Sequence, residues 1–219
     1  MEFFLNLLRS VAYGIIEGVT EWLPISSTGH MILAEQVLKF SFSAEFMEMF
    51  RVVIQLGAIL AVVVLYFKKL WPFCADNGRD SGFSRHFRWP VVRLWCKIIV
   101  ACVPAAVLGL LLDDWLDAHL YNSITVALML IIYGIAFILI ERRPRVPTTT
   151  KLSRITYKQA LIVGAWQVLA LIPGTSRSGS TIIGGLLCGM SRPAASQFTF
   201  FLAIPVMAGA SGLKLVKFL

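Results

Sequence analysis

Apolar runs alternate along this chain with short polar breaks, and the runs fall into two length classes. Val52 to Phe67, Leu94 to Leu112, Ile124 to Ile140 and Phe198 to Leu213 each come near the roughly 20 residues that carry a helix across a bilayer. Tyr13 to Leu23, Ala160 to Pro173 and Ile182 to Met190 are too brief or too polar to span alone, and suit re-entrant helices buried among full spans. The pattern predicts an all-α integral membrane protein: a polytopic helical bundle forming a single membrane domain over residues 1–219, with two re-entrant helix pairs.

The order of these elements recurs. Each short pair is followed by a phenylalanine-led apolar helix, Phe50 to Ile59 in the first half and Phe198 to Met207 in the second. Three spans between the pairs would place the halves in opposite orientations, so two inverted-topology repeats are expected, 1–141 and 157–219. The sequences of the halves agree only in places: Gly14 to Glu17 matches Gly164 to Gln167, Pro24 matches Pro173 after a one-residue gap, and Ser27 matches Ser176. The last two helices of the second repeat are expected to be absent, so either the chain is a piece of a longer one or a partner surface, a second copy in a homodimer included, covers what they would bury.

Composition agrees with the pattern: 58% of the residues are hydrophobic and 15% charged, and the mean hydropathy is +0.77. A secretory signal is not expected at the N-terminus, because Glu17 and Glu21 interrupt its apolar stretch and no small-residue cleavage site follows. The formal charge of +8 does not point to nucleic acid. Lys68, Lys69, Arg79, Arg85, Arg88 and Arg93 fall in one loop, 68–93, and Arg142, Arg143, Arg145, Lys151, Arg154 and Lys158 in another, 142–158. The connection from Asp113 to Asn122 carries three aspartates and no Lys or Arg. Positive loops stay inside, so both basic loops should be cytoplasmic, and the first re-entrant pair should open to the outer, periplasmic face. Cys74, Cys96, Cys102 and Cys188 show no metal or redox spacing and read as apolar fillers.

The candidate chemistry lies in the two breaks. Glu17 and Glu21, four apart on one helix face, are the only acids between Glu2 and Glu35. Adjacent carboxylates in a low dielectric must share a proton, bind a cation or meet a cationic partner, unless they merely line a wet outer rim. After Pro24 come Ser26, Ser27, Thr28 and His30: hydroxyls able to cap a helix, or a serine activated as nucleophile beside a carboxylate, with His30 as attacking group or general acid instead. The second break, Pro173 to Thr181, sets Arg177 among Thr175, Ser176, Ser178, Ser180 and Thr181, a composition that suits phosphate binding. Residues 142–219 contain no acid, so any carboxylate meeting Arg177, as clamp or as plain salt bridge, must come from the first half. Gln55 on the first phenylalanine-led helix either offers an amide to this site or bonds a neighbouring helix.

The segments Glu17 to His30, Val53 to Ile59 and Pro173 to Thr181, in this order, resemble the bacterial undecaprenyl-diphosphatase family, also called the bacitracin-resistance family, over essentially the whole chain. The resemblance implies a metal-assisted phosphatase, aided by a divalent cation such as Mg2+ or Ca2+, that removes the terminal phosphate of undecaprenyl diphosphate at the outer face of the bacterial plasma membrane. It thereby recycles the lipid carrier of cell-wall synthesis. The family's acidic motif falls on Glu17 and Glu21, its serine and histidine on Ser27 and His30, and its arginine motif on Ser176 and Arg177. Two departures are visible: family members usually continue for two further helices, and many carry an acid where this chain has Arg51. Inverted repeats with broken helices are also a transporter architecture, so a carrier that moves polyprenyl phosphate between leaflets is the alternative reading.

Overall fold

Without water to bond them, backbone amides in hydrocarbon must find partners within their own segment, and apolar runs therefore become helices. The structure is a computed structural model that describes residues 2–75, 78, 82–120, 122–142 and 146–218. Its helices, in chain order, are α1 (Glu2–Thr20), α2 (Ser27–Leu38), α3 (Ala44–Leu65), α4 (Phe67–Leu70), α5 (Trp89–Leu120), α6 (Ser123–Glu141), α7 (Tyr157–Gln167), α8 (Arg177–Leu187) and α9 (Arg192–Phe218). Among the described residues there is no strand, only the isolated bridges Phe73 to Phe87 and Thr149 to Met190. Stretches long and apolar enough to cross a membrane lie in four of the helices: Glu45–Leu65, Trp89–Leu112, Ile124–Glu141 and Arg192–Val216.

Leu94 to Leu112, Ile124 to Ile140 and Phe198 to Leu213 lie within α5, α6 and α9, which run longer than hydropathy suggests, whereas Val52 to Phe67 crosses from α3 into α4, and Tyr13 to Leu23, Ala160 to Pro173 and Ile182 to Met190 run past the ends of α1, α7 and α8. α5 continues from Leu112 to Leu120, so most of the expected acidic connection is helical, because a helix already nucleated adds a hydrogen bond for each further residue. α1 begins at Glu2 rather than near Tyr13, with Phe3, Phe4, Leu7, Leu8 and Val11 facing outward. The basic loop 68–93 is shortened by α4 and by the early start of α5, and the loop 142–158 by the start of α7 at Tyr157. Arg79, Arg143 and Arg145 lie outside the described residues.

A helix, a break, a second helix and a long helix occur twice, as α1, α2, α3 and as α7, α8, α9. The long helices α3 and α9 pack along each other, with the Ser211 hydroxyl donating to the Val52 carbonyl at 3.0 Å. Ile59 of α3 meets Ala203 and Met207 of α9 in one buried cluster. The largest core joins α5, α7 and α9 through Leu94, Ile98, Ala160, Val163, Phe198, Phe201 and Leu202. α5 and α7 come close because Gly164 has no side chain: a Cβ there would lie 2.8 Å from the Ala101 Cα. A smaller core of Tyr13, Met31 and Met47 holds α1, α2 and α3 together. Val64, Leu65, Leu110, Leu111, Ile124, Ile131 and Val216 stay exposed, as lipid-facing side chains of a multi-pass membrane protein do.

Candidate active site

Both breaks are built by local backbone chemistry. α1 ends at Thr20, whose hydroxyl bonds back to the Ile16 carbonyl at 2.7 Å, and a turn carries the chain through Pro24. Ser26 takes a left-handed φ of 62° and caps α2, its hydroxyl accepting from the Gly29 amide. In the second break α7 passes through a 3-10 turn, Val168–Leu171, into Pro173 and Gly174. Gly174 has a φ of +87°, and its Cα packs so close to α6 that a Cβ would sit 2.6 Å from the Val126 Cα. No other residue meets both demands. Ser176 then caps α8 by accepting from the Gly179 amide at 3.1 Å.

The two breaks touch. Arg177 Nη2 donates to Glu21 Oε1 at 2.5 Å across 156 residues of sequence, and both side chains are buried, 11% and 6% exposed. The other carboxylate oxygen of Glu21 accepts from Ser27 Oγ at 2.6 Å. Ser178 Oγ donates to the Leu23 carbonyl at 3.3 Å, and Trp22 of the first break packs edge-on against Phe200 of α9. One carboxylate thus links a guanidinium from one half to a hydroxyl from the other. Glu17, one helical turn before Glu21, is 1% exposed.

The remaining candidates take distinct places. His30 Nδ1 contacts the Ser26 carbonyl at 2.9 Å, which assigns the ring proton to Nδ1 and leaves Nε2 as the acceptor nitrogen. Thr28 is half-buried on the first turn of α2, and Thr175 is buried just ahead of Ser176. The Ser176 and Ser178 hydroxyls lie 3.1 Å apart. Thr181 is turned into the helix packing: its hydroxyl donates to the Arg177 carbonyl at 2.9 Å and accepts from Thr199. Gln55 is buried on α3 and makes no hydrogen bond with Glu21, Ser27 or Arg177 among the described residues.

A group of buried polar atoms makes no hydrogen bond among the described residues: both carboxylate oxygens of Glu17, Nε and Nη1 of Arg177, the Thr175 hydroxyl and both amide atoms of Gln167. Such atoms are costly, about 1–3 kcal/mol each, unless a ligand or water meets them. They sort by chemistry into acceptors on Glu17 and donors on Arg177. That combination suits a ligand holding positive and negative charge side by side, as a cation-bound phosphate does. The Glu17 oxygens fit a hard divalent cation. Among the described residues no three His, Cys, Asp or Glu side chains gather into a metal cage; an ion of the Mg2+ kind, where one is bound, takes one or two carboxylates and completes its shell with water and phosphate oxygens.

A second polar cluster lies one to two turns away and was not legible as a unit in the sequence. Tyr13 of α1 donates to Glu35 Oε1 of α2 at 2.5 Å, and Arg51 of α3 meets Glu35 Oε2 at 3.3 Å. It ties α1, which carries Glu17 and leads into Glu21, to α2, which begins at Ser27, and both to α3. Its members are widely separated along the chain, so only the tertiary fold discloses them.

The family model described as bacitracin resistance protein BacA matches residues 10–219. An undecaprenyl-diphosphatase of Enterococcus faecalis V583 is 60% identical over 218 residues, covering 99% of this chain and 77% of that protein. Undecaprenyl-diphosphatases of Streptococcus sanguinis SK36 and Desulfitobacterium hafniense DCB-2 are 56% and 58% identical, covering 99% and 97% of this chain and 76% of each of those proteins. With a family match over nearly its whole length and relatives this similar, the chain belongs to the bacitracin resistance protein BacA family.

Proposed function

We propose that this protein is an undecaprenyl-diphosphatase, a membrane phosphatase that hydrolyses undecaprenyl diphosphate to undecaprenyl phosphate and inorganic phosphate. Family membership supports the activity. The observation that carries it to residues is the Ser27, Glu21, Arg177 chain of contacts across the two halves. A carrier needs anion donors but no nucleophile, whereas here a serine hydroxyl is already bonded to a buried carboxylate.

In this reading the isoprenoid tail stays in lipid and the diphosphate enters from the outer face of the plasma membrane. Arg177, through its Nε and Nη1, binds oxygens of the terminal phosphate, with Thr28, Thr175, Ser176 and Ser178 around it. Ser27 Oγ attacks the terminal phosphorus in line. The Oγ–P bond forms as the bond to the bridging oxygen breaks, and the Ser27 proton passes to Glu21 Oε2. Water then cleaves the phosphoserine, releasing inorganic phosphate and restoring the hydroxyl. His30 Nε2 would take a proton from that water, while Glu21 returns to Ser27 Oγ the proton it took. Glu17 with Glu21 would hold a divalent cation, which when bound screens the phosphate charge. Positioning and charge neutralisation supply most of the rate in such transfers.

The test is phosphate release by the purified chain in detergent or nanodiscs, given undecaprenyl diphosphate with Mg2+ or Ca2+. Release that stops on chelation and returns with the cation supports the reading. Movement of the lipid between leaflets without release would replace it with the carrier. A phospho-enzyme trapped by rapid acid quench should map to Ser27; a label on His30 instead would reassign the nucleophile.

A further inference from the structure

Gln167 is the last residue of α7, 2% exposed, and neither atom of its carboxamide has a hydrogen-bond partner among the described residues. Its neighbourhood makes this unusual, because the hydroxyls beside it are committed. Ser180 donates to the Ser176 carbonyl and is hydrogen-bonded to the Tyr133 hydroxyl, and Thr181 is bonded to the Arg177 carbonyl and to Thr199. A buried amide with both ends free is destabilising unless something else meets it.

The helix register locates it. α7 and α8 run antiparallel: Gln159 donates to the Cys188 carbonyl, and a Cβ on Gly184 would lie 2.7 Å from the Trp166 ring. Gln167 therefore sits level with the turn of α8 that follows Arg177. α1 and α2 repeat the arrangement. Tyr13 meets Glu35 and Glu21 meets Ser27, which sets Glu17 level with the turn that follows Ser27. Gln167 is thus the second half's counterpart of Glu17, as the match of Gly14 to Glu17 with Gly164 to Gln167 indicates in the sequence. Glu17 stands one helical turn before Glu21, which holds Ser27 and Arg177.

We propose that Gln167 is a substrate-binding residue of the second half, donating from Nε2 to an oxygen of the diphosphate head group held by Arg177. The neutral carboxamide suits that side of the site. A carboxylate there would repel the phosphates, whereas Glu17 on the opposite side accepts positive charge. The pair makes the two halves chemically unlike at equivalent positions, so the head group has one orientation in which its cation faces Glu17 and its oxygens face Gln167 and Arg177.

This inference rests on the phosphatase reading, and its test separates the two. The variants Gln167→Met and Gln167→Glu are compared with the unaltered chain for melting temperature, for KM and kcat with undecaprenyl diphosphate, and for the rise in melting temperature produced by inorganic diphosphate. Gln167→Met should melt at or above the temperature of the unaltered chain, since a buried amide without partners is removed. Its KM should rise roughly tenfold or more, the loss of one hydrogen bond to a charged group, with a smaller change in kcat. Gln167→Glu should raise KM further, and both variants should lose most of the stabilisation by diphosphate. Unchanged KM and undiminished stabilisation in both would overturn the assignment, and so would failure of both to fold, which would give Gln167 a structural role alone. If the unaltered chain releases no phosphate, the phosphatase reading falls, and retention or loss of the diphosphate-induced stabilisation in Gln167→Met still decides the place of Gln167.

Discussion

Two oxygens of one carboxylate hold Ser27 and Arg177 at 2.6 and 2.5 Å, so a change at Glu21 acts on both partners at once. Glu21→Gln keeps the shape but strips Ser27 of its proton acceptor and leaves a buried guanidinium without its counter-charge. Turnover should fall by about two to three orders of magnitude, and denaturant unfolding should show a loss of about 3 kcal/mol, the cost of breaking a buried pair from one side. Ser27→Ala removes only the hydroxyl that donates to Glu21. Phosphate release should be abolished while the unfolding midpoint stays within about 1 kcal/mol of the unaltered chain. Residual turnover near the original rate would exclude Ser27 as nucleophile. These residues were readable in advance because charged and hydroxyl side chains inside apolar runs are costly without a role. Gln167 was not read as a site residue, since nothing in its sequence neighbourhood shows that both ends of its amide are free.

Each break depends on a position where the backbone leaves no choice. At Gly174 the positive φ and the approach to Val126 act together, so Gly174→Ala combines left-handed strain with a steric collision. We expect a loss of about 2–4 kcal/mol in unfolding experiments and a weaker hold on Arg177, three residues on. Glu35 plays the matching role in the first half, where it fastens α2 to Tyr13 of α1 and Arg51 of α3. Glu35→Ala should lower stability by about 1–3 kcal/mol and reduce kcat more than KM, because Ser27 loses its fixed bearing rather than the phosphate its ligands. Equal kinetics in a destabilised Glu35→Ala protein would reduce this cluster to a structural one. The breaks were visible as proline, glycine and hydroxyl clusters between apolar runs, and the observed turns fall on them. Helix ends were less visible. Hydropathy marks where lipid stops, whereas α5 continues to Leu120 because a helix already nucleated extends past that boundary.

Across the whole molecule, α3 and α9 bring the two halves side by side, and the breaks they support converge on Glu21 and Arg177. The basic loops define a cytoplasmic side in our reading. Thr150→Cys should therefore react with a membrane-impermeant thiol reagent only after cells are opened, and His119→Cys in intact cells; the reverse pattern would turn the site to the cytoplasm. The distribution of charge between halves was legible, because residues 142–219 hold no acid and Arg177 had to find its carboxylate in the first half. Which acid it meets depends on helix register and was settled only by the packing. The most direct measurement is a double-mutant cycle on Glu21→Gln and Arg177→Ala, read by both denaturant unfolding and phosphate release. The account predicts strong coupling: the double variant loses far less than the sum of the single losses, by about 1–3 kcal/mol. Strictly additive losses in both readouts would mean that the two halves do not share one site, and would contradict it.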